Sequence, residues 1–307
     1  MFLRDGGRHV HISTHADVLR IVSSIHQGRD WTSLHADISQ DAASAKTAEI
    51  SLNLCCRLIL MMNIGEPPQG IEGPRTIRWD QGTLREFTEG HFGAGSGNRL
   101  QPDRAQIGKI FTALNPKKIG GMCILWTPDL AEHLRLMDDD KTICLFSCPA
   151  FLRFQMKVQN QIFPPGFIDE TLRSLALLLP QNDKRTQDWI ASEIESTSTS
   201  SSSSSSTPLD PLLAECGSLG THERRFEHFS FWHDRLVVLR QALDEAQPQT
   251  LTQWWYDRRN GVQWYTFWVA ILVFIATIFF GVMQSLEGAL QVYVSYQASK
   301  PTQNGAS

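Results

Sequence analysis

The chain changes its hydrophobic rhythm several times, and each rhythm predicts a different element. "RHVHIS", with Val10 and Ile12 on one face, predicts a short strand. Thr14 with Asp17 three residues on predicts a helix cap ahead of Val18, Ile21, Val22 and Ile25. From Ala43 to Met62 the pattern is helical: Ala48, Leu52, Cys55, Ile59 and Met62 form an apolar stripe, and Lys46, Glu49, Asn53 and Arg57 a polar one. "TIRWDQGTLREF" predicts a short strand, then a helix opened by the capping pair Thr83 and Glu86. "GGMCILWT" and "TICLFS" read as strands, with "DDDK" from Asp138 as the turn before the second. Thr127 and Pro128 suit the start of a short helix through Leu134. After "FPPG", Ile168, Leu172, Leu175, Ala176 and Leu179 share a helix face that Pro180 ends. Trp232, Leu236, Leu239 and Leu243 mark a later amphipathic helix, free by its pattern to pack on the body, a partner or a membrane. Thr250 and Gln253 form a further capping box before Trp254, Trp255 and Tyr256.

One stretch has no polar face. Gly261 to Leu286 contains no charged residue, and a helix crossing the hydrocarbon core needs about 20 apolar residues. Trp264, Tyr265 and Trp268 stand at one end and Tyr293 and Tyr296 past the other. Aromatic rings with a polar tip collect at membrane–water interfaces. Tyr265 to Tyr293 spans roughly 42 Å as a helix, the thickness of a bilayer with its headgroups. Gly281, Ser285 and Ala289 recur every four residues, the spacing of small-residue stripes through which membrane helices associate. A homodimer through this stripe is one expectation. Arg258 and Arg259 precede the span, while only Lys300 follows it, which favours a cytosolic N-terminal side. The start, "MFLRDGGRHVHIS", has no apolar core of a secretory signal, so the expected arrangement is a tail anchor. The sparsely basic tail points to the endoplasmic reticulum or a later membrane rather than the mitochondrial outer membrane.

The sequence divides into a cytosolic α+β domain over 1–192, a serine-rich flexible linker over 193–221, juxtamembrane amphipathic helices over 222–260, the transmembrane helix over 261–286 and a short tail over 287–307. The run "ESTSTSSSSSSSTP" has nothing to bury against the entropy of ordering. Strands and helices intermingle without strict alternation, which favours a compact α+β body over a doubly wound sheet.

Composition narrows the function chiefly by exclusion. A net charge of −4 over 307 residues with no cationic run gives no footprint for nucleic acid. The glycines of "HFGAGSGN" miss the dinucleotide spacing, and the phosphate-loop pattern does not occur. The six cysteines lack zinc-ribbon spacing and read as reduced and mostly buried. His9, His11 and His15 are the candidate metal ligands, but without an H-E-x-x-H pattern scattered surface histidines are the plainer reading. His133 and Asp129 form a second candidate pair, at helical spacing. No cofactor is called for.

"WYDRRNGVQWYTFWVAILVFIATIFFGVMQSLEGALQVY", together with "ILWTPDLAEHLRLMDDDKTICLF" and "FPPGFIDETLRSLALLLPQNDKRTQDW", resembles the recurring blocks of a family of filamentous-fungal proteins marked by a C-terminal membrane-span signature. The likeness runs through most of the chain after about Ala43. It implies a terminal span and a fungal origin, and no reaction or catalytic residue. The expected protein is therefore a single-span membrane protein. Its partners would be the bilayer and a cytosolic protein bound by the body. The alternative is a membrane-tethered hydrolase or metal-dependent enzyme.

Overall fold

The computed structural model describes residues 12, 14–42, 44–65, 77–93, 99–102, 106–158, 161–199, 208–246 and 261–298. The chain forms two units, Met1–Gln247 and Pro248–Ser307. Mixed helix with a small sheet fits the α+β expectation for the first unit.

Local chemistry sets most helix starts. Helix α1, His15–His26, opens on the capping box of Thr14 and Asp17, which satisfies two amides otherwise left without partners. Helix α2, Trp31–Asp41, follows. Helix α3, Ala45–Leu60, is capped by Ser44, and its stripe Ala48, Leu52, Cys55 and Ile59 is buried against α1 and α2. Asn53, assigned to the polar stripe, is buried as well. Helix α4, Leu84–Phe92, opens on the expected box of Thr83 and Glu86. The strand expected from "TIRWD" is reduced to a single bridge, Ile64 to Ile77.

Helix α5, Leu114–Ile119, leads into strand β1, Cys123–Thr127. A 3-10 turn at Leu130–Glu132 follows, capped by Asp129 rather than Thr127. Strand β2, Leu136–Met137, then pairs antiparallel with strand β3, Thr142–Phe146, while β1 pairs with β3 in parallel, Cys123 opposite Thr142 and Thr127 opposite Phe146. The order β1-β3-β2 makes β3 central. Its Ile143, Cys144, Leu145 and Phe146 are all buried, as a strand covered on both faces requires. The turn from β2 to β3 is Asp138, Asp139 and Asp140, three successive residues with φ of 55°, 52° and 63°. Aspartate tolerates this left-handed conformation better than most residues.

Helix α6, Pro149–Gln155, begins with proline in its first turn, where no amide partner is lost. Helix α7, Phe167–Leu178, is the centre of the core, with Phe167, Ile168, Thr171, Ser174, Leu175 and Leu178 buried. Helix α8, Lys184–Thr199, runs into the range expected to be linker. Beyond the serine run, Leu209 and Leu213 are buried in the same core. Asp210 ties this segment down by accepting the Ala150 amide at 2.7 Å and the Leu212 amide at 3.0 Å. Serines dominate the composition of this region, yet the leucines flanking them still have apolar surface to bury. Residues 200–207, the heart of the predicted linker, lie outside the described residues.

Helix α9, His233–Glu245, also belongs to the first unit, with Leu236, Leu239 and Leu243 buried behind Trp232. The boundary thus falls at Gln247 rather than before residue 222, because this helix packs on the body. The Thr250 box and its aromatic cluster lie outside the described residues. Helix α10, Gly261–Ala298, does not stop at Leu286 but continues through twelve further residues of the expected tail.

Candidate membrane span and buried polar network

Helix α10 is long and apolar enough to cross a membrane from Trp264 to Gln297, and none of its most apolar window is buried. Val273, Phe274, Ile275, Ile278, Phe279 and Phe280 are all more than half exposed. A water-soluble helix with this much apolar surface would bury one face, and a helix surrounded by lipid need not. Both threonine hydroxyls inside the span are satisfied within the helix. Thr266 donates to the Val262 carbonyl at 2.8 Å and Thr277 to that of Val273 at 2.9 Å. Hydrocarbon offers no other acceptor.

The sequence-assigned interface residues fall at the two ends of this helix. Trp264 is half-buried and meets the exposed Tyr265 edge to face at 5.1 Å and Trp268 at 6.2 Å. At the other end Tyr293 and Tyr296 are exposed, and the Tyr293 hydroxyl accepts a hydrogen bond from Gln297 at 2.8 Å. Gly281, Ser285 and Ala289 share one exposed stripe, with open space where a Cβ on Gly281 would stand.

In the body, polar side chains gather around α7 and the start of α9. The Glu170 carboxylate accepts the backbone amides of Ser230, Phe231 and Trp232 at 2.6, 2.7 and 2.8 Å. It thereby caps α9 from a different helix, since Trp232 offers no side-chain cap. Burial pushes its pKa up against the opposing pull of those three amides. Trp232 Nε1 donates to Thr171 Oγ1 at 2.9 Å, and Thr171 donates to the Phe167 carbonyl at 2.8 Å. Arg235 donates to the carbonyls of Ala131 and His133 and lies over the Trp232 ring at 5.1 Å.

His133 and Ser174 lie 2.8 Å apart, Nε2 to Oγ, both fully buried. The pair has the spacing of a base and its nucleophile, but the proton directions forbid that use. His133 Nδ1 accepts the Phe146 amide at 3.2 Å, so a neutral ring carries its proton on Nε2 and must donate to Ser174. Ser174 in turn donates to the Thr171 carbonyl at 2.7 Å. Desolvation first, then the Arg235 charge, holds the His133 pKa down to about 3. The imidazole is a neutral tie between β3 and α7, with no free lone pair for a proton.

The sequence pairing of His133 with Asp129 is not formed. Asp129 instead accepts the amides of Ala131 at 3.0 Å and Asn63 at 3.3 Å. Of the histidine candidates for metal, His9 and His11 lie outside the described residues, and His15 is exposed. Among the described residues no group of three metal-ligating side chains converges. The cysteines are all free thiols, and burial pushes Cys55 up to about 12, far from a reactive thiolate. Cys55, Cys56 and Cys144 are buried, Cys148 and Cys216 half-buried and Cys123 exposed. No protein-family model matches the chain, and no curated protein or solved structure shows significant similarity to it.

Proposed function

We propose that this is a single-span, tail-anchored membrane protein whose N-terminal unit sits on the cytosolic side and binds another protein there. The observation that carries the reading is α10, with its exposed apolar surface unbroken by charge until Glu287. Arg258 and Arg259 ahead of the helix support the orientation. The scarcity of basic residues after it supports the endoplasmic reticulum or a later membrane.

Exposed apolar side chains on the body support a binding role. Gln155 Nε2 donates to the Ile59 carbonyl at 3.3 Å, which joins the C-terminal ends of α6 and α3. The neighbours of these two residues, Leu58, Phe154 and Met156, are 58%, 63% and 49% exposed.

The test uses intact cells and vesicles. In sealed microsomes, external protease should destroy an N-terminal tag and spare a C-terminal one. Proximity labelling from the N-terminus should yield a neighbour set that shrinks in the Phe154→Glu variant at equal protein level. Loss of the C-terminal tag to external protease would overturn the orientation, and an unchanged neighbour set would overturn the binding face.

A further inference from the structure

A cleft of about 430 Å³ opens between the Gly108–Thr112 loop, the end of α7 and the start of α8. That volume lies within the range of small-molecule sites. The floor is apolar, with Phe111, Leu114, Ala176 and Leu177 all buried. The walls are held by backbone pairing. Ile107 donates to the Arg224 carbonyl at 2.9 Å beside the bridge of Gln106 to Arg225, and Ala113 donates to the Leu178 carbonyl at 2.7 Å.

The charge lining this cleft is one-sided. Lys109, Arg185 and Arg224 line it, and among the described residues none of the three is in an ion pair. Asp183 is the acid among the described lining residues, and its Oδ2 already accepts the amide and hydroxyl of Thr186. Two lining residues also carry a polar atom without a partner: Arg224 Nε and Thr112 Oγ1 are buried behind the cleft wall and bonded to nothing among the described residues. Thr112 is only 5% exposed. A buried donor left unmatched is costly, and a charged one more so. A guanidinium fork is shaped to match a phosphate or carboxylate.

We propose that this cleft binds a small phosphomonoester with an apolar substituent. The Arg224 guanidinium, Lys109 and Arg185 neutralise the phosphate, and the substituent rests on Phe111 and Leu177. The cations exceed the acid by two charges, which matches a phosphomonoester dianion better than a single carboxylate.

The test uses the full chain in non-ionic detergent. Phenyl phosphate should raise the Tm and bind by calorimetry with a Kd below about 1 mM. Inorganic phosphate, lacking the ring, should bind at least about tenfold more weakly. Lys109→Ala and Arg185→Ala, both at exposed positions, should each weaken phenyl phosphate about tenfold while leaving the Tm of the free protein unchanged. Short-chain dihexanoyl phosphatidic acid separates the sources. Tighter binding than phenyl phosphate identifies a lipid headgroup, and weaker binding a soluble phosphate; both orders require the site. No Tm shift at about 10 mM phenyl phosphate, or undiminished binding in both variants, would overturn the proposal.

Discussion

At the scale of single residues, His133 shows how a side chain that looks reactive can be structural. Its ring is neutral when folded, with a pKa of about 3 against an ordinary 6.5. Because the folded value is the lower one, the contribution to stability is complete above pH 6.5 and is lost as pH falls toward 3. Between pH 7 and 5 this one group should cost about 2 kcal/mol. His133→Gln keeps a donor and an acceptor but cannot titrate. It should lose about 1–3 kcal/mol at pH 7 and show a pH 7-to-5 loss about 2 kcal/mol smaller than the unaltered protein. Urea unfolding at the two pH values measures both; equal losses would refute the assignment. None of this was legible in the sequence. The helical spacing of Asp129 and His133 suggested a local pair, whereas the partners of His133 are the Phe146 amide and Ser174, brought together only by the tertiary fold. Glu170 likewise meets amides about sixty residues away.

At the scale of elements, legibility followed the strength of the local signal. Capping boxes at Thr14 and Thr83 need only four residues, and both form as expected. The apolar stripes of α3, α7 and α9 were equally plain because one face of each is buried. Strand β2 is two residues long and exists through its pairing with β3, so it carries no periodic pattern of its own. Helix α8 was hidden by the serine run into which it leads. That run also concealed the packing of the next segment, which Leu213 tests directly. Leu213→Ala removes a fully buried side chain and should destabilise the N-terminal unit by about 2–5 kcal/mol, read from chemical denaturation. A flexible linker would register a change near zero.

For the whole molecule, the span was the most legible feature, because composition within one window decides whether a helix can accept lipid as its solvent. Where the helix would end was less legible: α10 continues from Glu287 to Ala298 with Leu290, Val292 and Val294 still exposed. If lipid surrounds the helix, charge at its middle should expel it. Arginine at a span centre costs about 3 kcal/mol per residue. Ile275→Arg combined with Phe279→Arg should therefore move the protein from the carbonate-resistant membrane pellet to the soluble fraction. Retention of the doubly charged variant in the pellet would contradict the lipid environment of α10.

The burial of Leu209, Leu213 and α9 beside α7 also bears on what backbone scission would do. A nick within the serine run would part the covalent chain but not the globule, since residues from both pieces interlock in one interior. The amino-terminal fragment would stay moored through the leucines of the other piece. With α10 held in a bilayer, shedding the fragment would require unfolding, or a second cut beyond Gln247.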